Sequence, residues 1–206
     1  MRRVLLFLAL LLWCSPTEQA QSPQVVTHLQ NHAYETDLAG GTALRLHFHD
    51  GDFRVVGSDS AKIFIHAEGK NIDQAGRIKI HLQRSDNALE LTLSNVPKKE
   101  LQVTIEIPKS TNLYARMRGG DLSVFGVTGD KDLELTGGDL TIGIGNPEDY
   151  ALVDLSVKYG DISGTQFGDP KGMVGNSLRK NGNGKYKLHA HVTAGDLMLK
   201  SSSNLN

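Results

Sequence analysis

The sequence predicts an all-β fold: a solenoid-like stack of short strands turned by Gly-Asp corners, with little or no helix. Two observations predict it. One pattern is written five times: a core-type residue, a Gly-Asp pair, and a second core-type residue five positions after the first. The copies are Phe48-His-Asp-Gly-Asp-Phe53, Met117-Arg-Gly-Gly-Asp-Leu122, Leu135-Thr-Gly-Gly-Asp-Leu140, Val157-Lys-Tyr-Gly-Asp-Ile162 and Val192-Thr-Ala-Gly-Asp-Leu197. The second observation is a two-residue hydrophobic period along most of the chain, with no sustained helical period. Inward residues at i and i+5 have opposite parity, so a plain strand would place them on opposite faces. The chain must bend once between them. Glycine permits this because it reaches positive φ without steric cost, and the adjoining aspartate is suited to bonding backbone amides in the turn. The structural corners are thus Gly51-Asp52, Gly120-Asp121, Gly138-Asp139, Gly160-Asp161 and Gly195-Asp196.

Taken in order, residues 1–20 read as a signal peptide. Arg2 and Arg3 precede the apolar run Val4 to Trp13, and a polar exit leads to cleavage after Ala20. The run is too short to span a bilayer, which takes ~20 residues. Cys14 raises a lipoprotein alternative, but Trp13 stands where lipid-attachment signals place a small residue. Cleavage removes the single cysteine, so the exported chain has no disulfide and no Cys-based metal site. It also leaves 20 basic and 22 acidic residues, a net charge of −2. No basic stretch points to nucleic acid, and no second apolar segment points to a transmembrane span.

Residues 21–41 are polar and read as a flexible N-terminal segment with room for a short strand. A single domain over 42–200 follows. Leu44, Leu46 and Phe48 alternate with Arg45 and His47, the pattern of a half-buried strand. Phe53 and Val55 resume the inward set after the Gly51 corner. Further inward sets are Ile63 and Ile65; Ile78, Ile80 and Leu82; Leu89, Leu91 and Leu93; and Leu101, Val103, Ile105 and Ile107. Asp86-Asn87 and Asn95-Val-Pro97 are turn signals between strands. Sixteen of the 22 glycines then crowd between Gly119 and Gly195. The corners at Gly120, Gly138 and Gly160 are spaced 18 and 22 residues apart, a repeat-like period. The corner at Gly195 follows 35 residues later because of a polar insertion over about 167–185. Residues 201–206 form a C-terminal tail.

These residues carry a family resemblance. Leu101-Gln-Val-Thr-Ile-Glu-Ile-Pro-Lys109, Leu113-Tyr-Ala-Arg-Met-Arg-Gly-Gly-Asp-Leu-Ser-Val124 and Leu133-Glu-Leu-Thr-Gly-Gly-Asp-Leu-Thr-Ile142 resemble the DUF4097 family of bacterial "putative adhesins". The order and spacing of the motifs carry the likeness, over roughly Thr42 to Leu199. It implies an all-β, solenoid-like fold and an exported or envelope location, and it brings no catalytic residues. The long insertion and the many histidines depart from the pattern.

Among candidate sites the histidines lead. Parity points His47 and His49 outward on one strand, and His189 and His191 outward on another. Two such residues lie ~6.5–7 Å apart along a strand. Each pair offers a place for Zn²⁺, Cu²⁺ or Ni²⁺, against the plainer reading of ordinary exposed residues. His66 and His81 also fall on outer positions, and Tyr114 faces outward as a contact residue. The row Asp121, Asp139, Asp161 and Asp196 suggests calcium, but its spacing does not fit the nine-residue calcium repeats, and corner-capping explains it better.

Catalytic signatures are missing. There is no Gly-x-Ser-x-Gly elbow and no Walker-type loop. Gly143-Ile-Gly145 lacks a strand-turn-helix setting. Aromatics are 6% of residues, and the one tryptophan, Trp13, lies in the signal segment, which disfavours a polysaccharide-cleaving groove. The sequence therefore predicts a non-catalytic exported protein, of the periplasm or the cell surface, or secreted. It presents a β surface for adhesion to a surface glycan or for binding an unknown envelope protein. No cofactor is required, and the open ends of the stack offer a route to homo-oligomers. The alternatives are a metal or small-ligand binder using the histidine pairs, and a structural or regulatory component of an envelope complex.

Overall fold

The computed structural model describes residues 24–26, 29–172 and 175–201; the signal segment 1–20 with Cys14, and the tail after Ser201, lie outside the described residues. The strands are β1 (Gln24–Val26), β2 (Tyr34–Asp37), β3 (Ala43–Asp50), β4 (Asp52–Ser58), β5 (Lys62–Glu68), β6 (Lys79–Arg84), β7 (Ala88–Ser94), β8 (Gln102–Pro108) and β9 (Leu113–Gly119). They continue as β10 (Leu122–Phe125), β11 (Lys131–Gly137), β12 (Leu140–Ile144), β13 (Tyr150–Tyr159), β14 (Ile162–Ser163), β15 (Asn176–Asn181), β16 (Tyr186–Ala194) and β17 (Leu197–Ser201). Helix among the described residues is confined to two short 3₁₀ segments, Ile72–Arg77 and Pro147–Asp149.

The strands make two mixed sheets. The first, sheet A, has the order β1-β6-β7-β3-β9-β11-β16-β13-β15; the second, sheet B, has the order β14-β17-β12-β10-β4-β8-β5-β2. Each Gly-Asp corner carries the chain from a strand of sheet A into one of sheet B: β3 to β4, β9 to β10, β11 to β12, β13 to β14 and β16 to β17. These strands pair in parallel with their neighbours. The inward residues of both sheets form one hydrophobic cluster. Every inward residue read from the alternation between Leu44 and Ile107 is buried there. Across the first corner the rings of Phe48 and Phe53 stack at 3.9 Å, so the i and i+5 residues do return to one core.

The units do not lie in chain order, as the sequential stacking of a solenoid requires. The last, β16–β17, slots between β11–β12 and β13–β14. A further unit, β7–β8, crosses between the sheets without a Gly-Asp corner; its loop holds Asn95 and Glu100 at φ of 61° and 60°. Antiparallel strands finish the sheets. The stretch 21–41, expected to be flexible, supplies β1 against β6 and β2 against β5. The insertion over about 167–185 supplies β15, antiparallel to β13. The insertion therefore supplies the outermost strand at that end of sheet A.

The corners stack on one another in the order Gly51, Gly120, Gly138, Gly195, Gly160. A Cβ on Gly138 would lie 2.0 Å from the Gly120 carbonyl oxygen, and each later glycine meets its neighbour's carbonyl in the same way. Gly138 also has φ of 110°, where a side chain is strained. Glycine is thus needed twice over, for the bend and for the approach of the next unit. The aspartates act differently from expectation. Their carboxylates bond the adjacent unit rather than their own turn: Asp139 N–H donates to Asp121 Oδ1 at 3.0 Å, Asp196 N–H to Asp139 Oδ1 at 2.9 Å, and Asp161 N–H to Asp196 Oδ1 at 2.9 Å. Backbone amides run the ladder in return, Leu122 to the Asp139 carbonyl at 3.0 Å and Leu140 to the Asp196 carbonyl at 2.8 Å. Asn176 Nδ2 of β15 terminates the ladder on Asp161 Oδ1 at 2.9 Å. At the other end burial, with the Asp121 charge beside it, raises the Asp52 carboxyl above its usual range, and the Asp121 amide opposes this.

One inward position holds a charge. Lys131 begins β11 on the same face as Leu133 and Leu135 and is 2% exposed. Its ammonium donates to the carbonyls of Val127 at 2.8 Å and Gly129 at 2.9 Å and lies 5.2 Å from the centre of the Tyr150 ring. Burial lowers its pKa to about 8, with the Asp130 charge opposing.

Candidate functional site

The outward side chains of sheet A form rows across the strands, because parallel register sets equivalent positions side by side at ~4.8 Å. The first row runs Arg45, Tyr114, Asp132, His189, Asp154. The second runs His47, Arg116, Glu134, His191, Ser156. β3 and β16 are separated by β9 and β11, so the two histidine pairs stand three strand spacings apart, about 14 Å. The structure does not bring them together. Each histidine instead meets other partners. His47 Nε2 lies 3.2 Å from a Glu90 carboxylate oxygen, His189 Nδ1 donates to Asp132 Oδ1 at 3.0 Å, and His191 Nδ1 is hydrogen-bonded to Ser156 Oγ at 2.8 Å. His49 is exposed and has no ion-pair partner among the described residues.

The densest cluster centres on Arg116. Its guanidinium donates to Asp132 Oδ2 at 3.1 Å and to the Asp132 carbonyl at 3.0 Å, and it forms an ion pair with Glu134 Oε2 at 3.0 Å. Asp132, Glu134 and His189 each offer a ligand atom, all within 4.8 Å of one another, the single such trio among the described residues. Burial works to raise the Asp132 carboxyl, but hydrogen bonds from His189 and Arg116 and their charges outweigh it, and its pKa falls below the usual value. The donor set suits a divalent cation, while Arg116 already neutralises both carboxylates. Alternation about Leu133 and Leu135 places Asp132 and Glu134 outward. Their meeting with His189 follows from β16 lying beside β11, a pairing no local pattern encodes.

Beside this cluster lies a groove of about 300 Å³ whose polar lining is His47, His49, Thr92, Arg116, Arg118, Thr136 and Glu134, the last held by Arg116. Arg45 stacks over the Tyr114 ring at 5.3 Å on the adjoining row, which holds that outward tyrosine in place.

With the fold in view, the chain joins a class of two-sheet β proteins among known structures. It shares its fold with a "putative cell adhesion protein" from Clostridium sporogenes ATCC 15579, at a TM-score of 0.52 and 11% identity over 88% of this chain and 100% of that one. A "putative adhesin" from Bacteroides fragilis NCTC 9343 aligns over 87% of this chain and 98% of its own, at 9% identity and a TM-score of 0.30. One from Parabacteroides merdae ATCC 43184 aligns over 82% and 83%, at 14% identity and a TM-score of 0.24. No family model matches the chain, and no curated protein is similar to it in sequence.

Proposed function

We propose that this chain is a non-catalytic exported protein, of the periplasm or the cell surface, that uses the outer face of sheet A for adhesion or partner binding. The observation that carries the reading is the preorganised outer face. Parallel strands fix Tyr114, Arg116, Asp132, Glu134 and His189 in register; ion pairs fix the four charged or ionisable side chains, and Arg45 stacks over the Tyr114 ring. A surface held in this way loses little conformational freedom on binding. The corner units serve as a two-sheet scaffold of the DUF4097 type within one domain over 42–200, to whose sheets β1 and β2 add edge strands. The test is to tag the exported chain in its own cell, cross-link the intact envelope and identify what is recovered. One partner or glycan should be enriched and lost with Tyr114→Ala. A hydrolytic activity that survives purification and disappears with a single carboxylate substitution would replace this reading.

The trio Asp132, Glu134 and His189 favours a second reading, a divalent-metal site. Of the four histidines expected to hold an ion, His189 belongs to this trio, while His47 faces Glu90 and His49 lines the groove. Arg116 competes with the ion, so Arg116→Ala should strengthen Zn²⁺ binding in calorimetry about tenfold relative to wild type. His189→Ala should abolish it. Absence of heat above buffer in both wild type and Arg116→Ala, for Zn²⁺, Cu²⁺ and Ni²⁺, rules the site out.

A further inference from the structure

We infer that the groove on the outer face of sheet A binds an oxyanion group, a phosphate or sulfate; the inference rests on the binding reading above and names its ligand chemistry. The groove lies where the strands of sheet A approach their corners. Its floor takes His49, Arg118 and Thr136 from a row that runs on, beyond the groove, to Thr193 and Lys158, across β3, β9, β11, β16 and β13. This row contains two permanent cations, an imidazole and two hydroxyls, and no carboxylate. The two rows above it hold Asp132, Asp154 and Glu134. Arg118 and His49 are exposed, and neither has an ion-pair partner among the described residues. The acids nearest the groove are engaged: Glu134 by Arg116 at 3.0 Å, Glu90 by His47 at 3.2 Å and Asp50 by Lys98 at 3.4 Å. The corner carboxylates accept amides of the adjoining unit.

Arg118 and His49, donors without an ion-pair partner among the described residues, are therefore gathered in a concave place whose one carboxylate, Glu134, is held by Arg116. Arg118 offers a planar fork that matches phosphate or sulfate oxygens. Thr92 and Thr136 flank it with hydroxyls, and a volume of about 300 Å³ admits a charged group with its immediate carrier. Rigid strands hold the donors in place before the ligand arrives. The row continues past the groove to Lys158, four strand spacings or about 19 Å from His49. A polymer bearing repeated oxyanions has a track to follow; a free oxyanion needs the groove alone.

The test uses the isotope-labelled exported chain and two probes, inorganic phosphate and dextran sulfate, with backbone amides followed by NMR. Saturable shifts confined to residues 47–49, 92, 116–118 and 136 are expected. Arg118→Ala, an exposed substitution with no structural bond to lose, should weaken phosphate binding about tenfold or more. Lys200→Ala on sheet B should change nothing. A stronger response to dextran sulfate that weakens with Lys158→Ala identifies a polymer as the source; dextran sulfate binding that is equal in wild type and Lys158→Ala identifies a small solute. Shifts that are dispersed and never saturate, or saturable shifts unchanged by Arg118→Ala, overturn the inference. Recovery of a cross-linked partner that is sensitive to Tyr114→Ala but not to Arg118→Ala would leave the binding reading standing without the oxyanion.

Discussion

At the scale of single residues, Lys131 is the side chain whose placement most departs from its chemistry. An ammonium loses solvation in the core, and the carbonyls of Val127 and Gly129 with the Tyr150 ring compensate only in part. Its folded pKa is about 8, against an ordinary value of 10.5. A lowered folded pKa means that between these two values the unfolded chain binds more protons than the folded one. Stability must then rise with pH across that window, by about 3 kcal/mol if the shift is expressed in full. Tyr150 acts in the opposite sense at higher pH: burial first, then the Asp149 charge, raises its hydroxyl to about 12 from 10. The folded chain keeps that proton after the unfolded chain has lost it, so stability falls again above pH 10. Thermal melts from pH 7.5 to 9.5 should show a rising midpoint for wild type and a flat one for Lys131→Met. Parallel curves for the two proteins would show that the ammonium is not desolvated as the geometry indicates.

At the scale of the element, the Gly-Asp corner couples neighbouring units through two separable contacts. The glycine lets one backbone rest on the next, and the aspartate spends a carboxylate oxygen on the next unit's amide. Gly138→Val adds both a strained φ and a collision with the Gly120 carbonyl, and should cost about 3 kcal/mol or more. Asp139→Ala leaves the Asp196 amide without its acceptor at an exposed edge where water substitutes, and should cost about 1 kcal/mol. Asp139→Asn keeps an acceptor oxygen and should melt close to wild type. Chemical denaturation of the three variants checks the order. Equal losses for Asp139→Ala and Asp139→Asn would mean that charge rather than hydrogen bonding matters in the ladder. The corner was legible in the sequence because parity demands a bend between Leu135 and Leu140. The partner of its aspartate was not, because Asp121, Asp139 and Asp196 are 18 and 57 residues apart along the ladder and their adjacency is a property of the assembled sheets.

At the scale of the whole molecule, alternation revealed which residues point inward from Leu44 through Ile107, and that His47, His49, His189 and His191 point out. It could not reveal the order of units, because parallel pairing tolerates any neighbour with a matching inward set. Hence the insertion of β16 between β11 and β13, and with it the meeting of His189 with Asp132, came only with the structure. The same shuffle decides how the ends are finished. An unpaired parallel edge is a template for another chain. Here β15 lies antiparallel on β13, anchored by Leu178 against Leu155 and by the Asn176 bond to Asp161, and the chain at Lys171 pairs in turn with Ser177 at 2.8 and 2.9 Å. β14 ends sheet B on the same side with only two residues, too short to recruit a strand. Self-association through that end should therefore be suppressed in the native protein and released when β15 is dislodged. Leu178→Asp places a charge at a position that is 6% exposed and should free the β13 edge while leaving the parallel units intact. Sedimentation velocity should show a single monomeric species for wild type and concentration-dependent association for Leu178→Asp, with far-UV circular dichroism largely retained. Association of wild type that Leu178→Asp abolishes would reverse the argument and make β15 the contact itself rather than the cover.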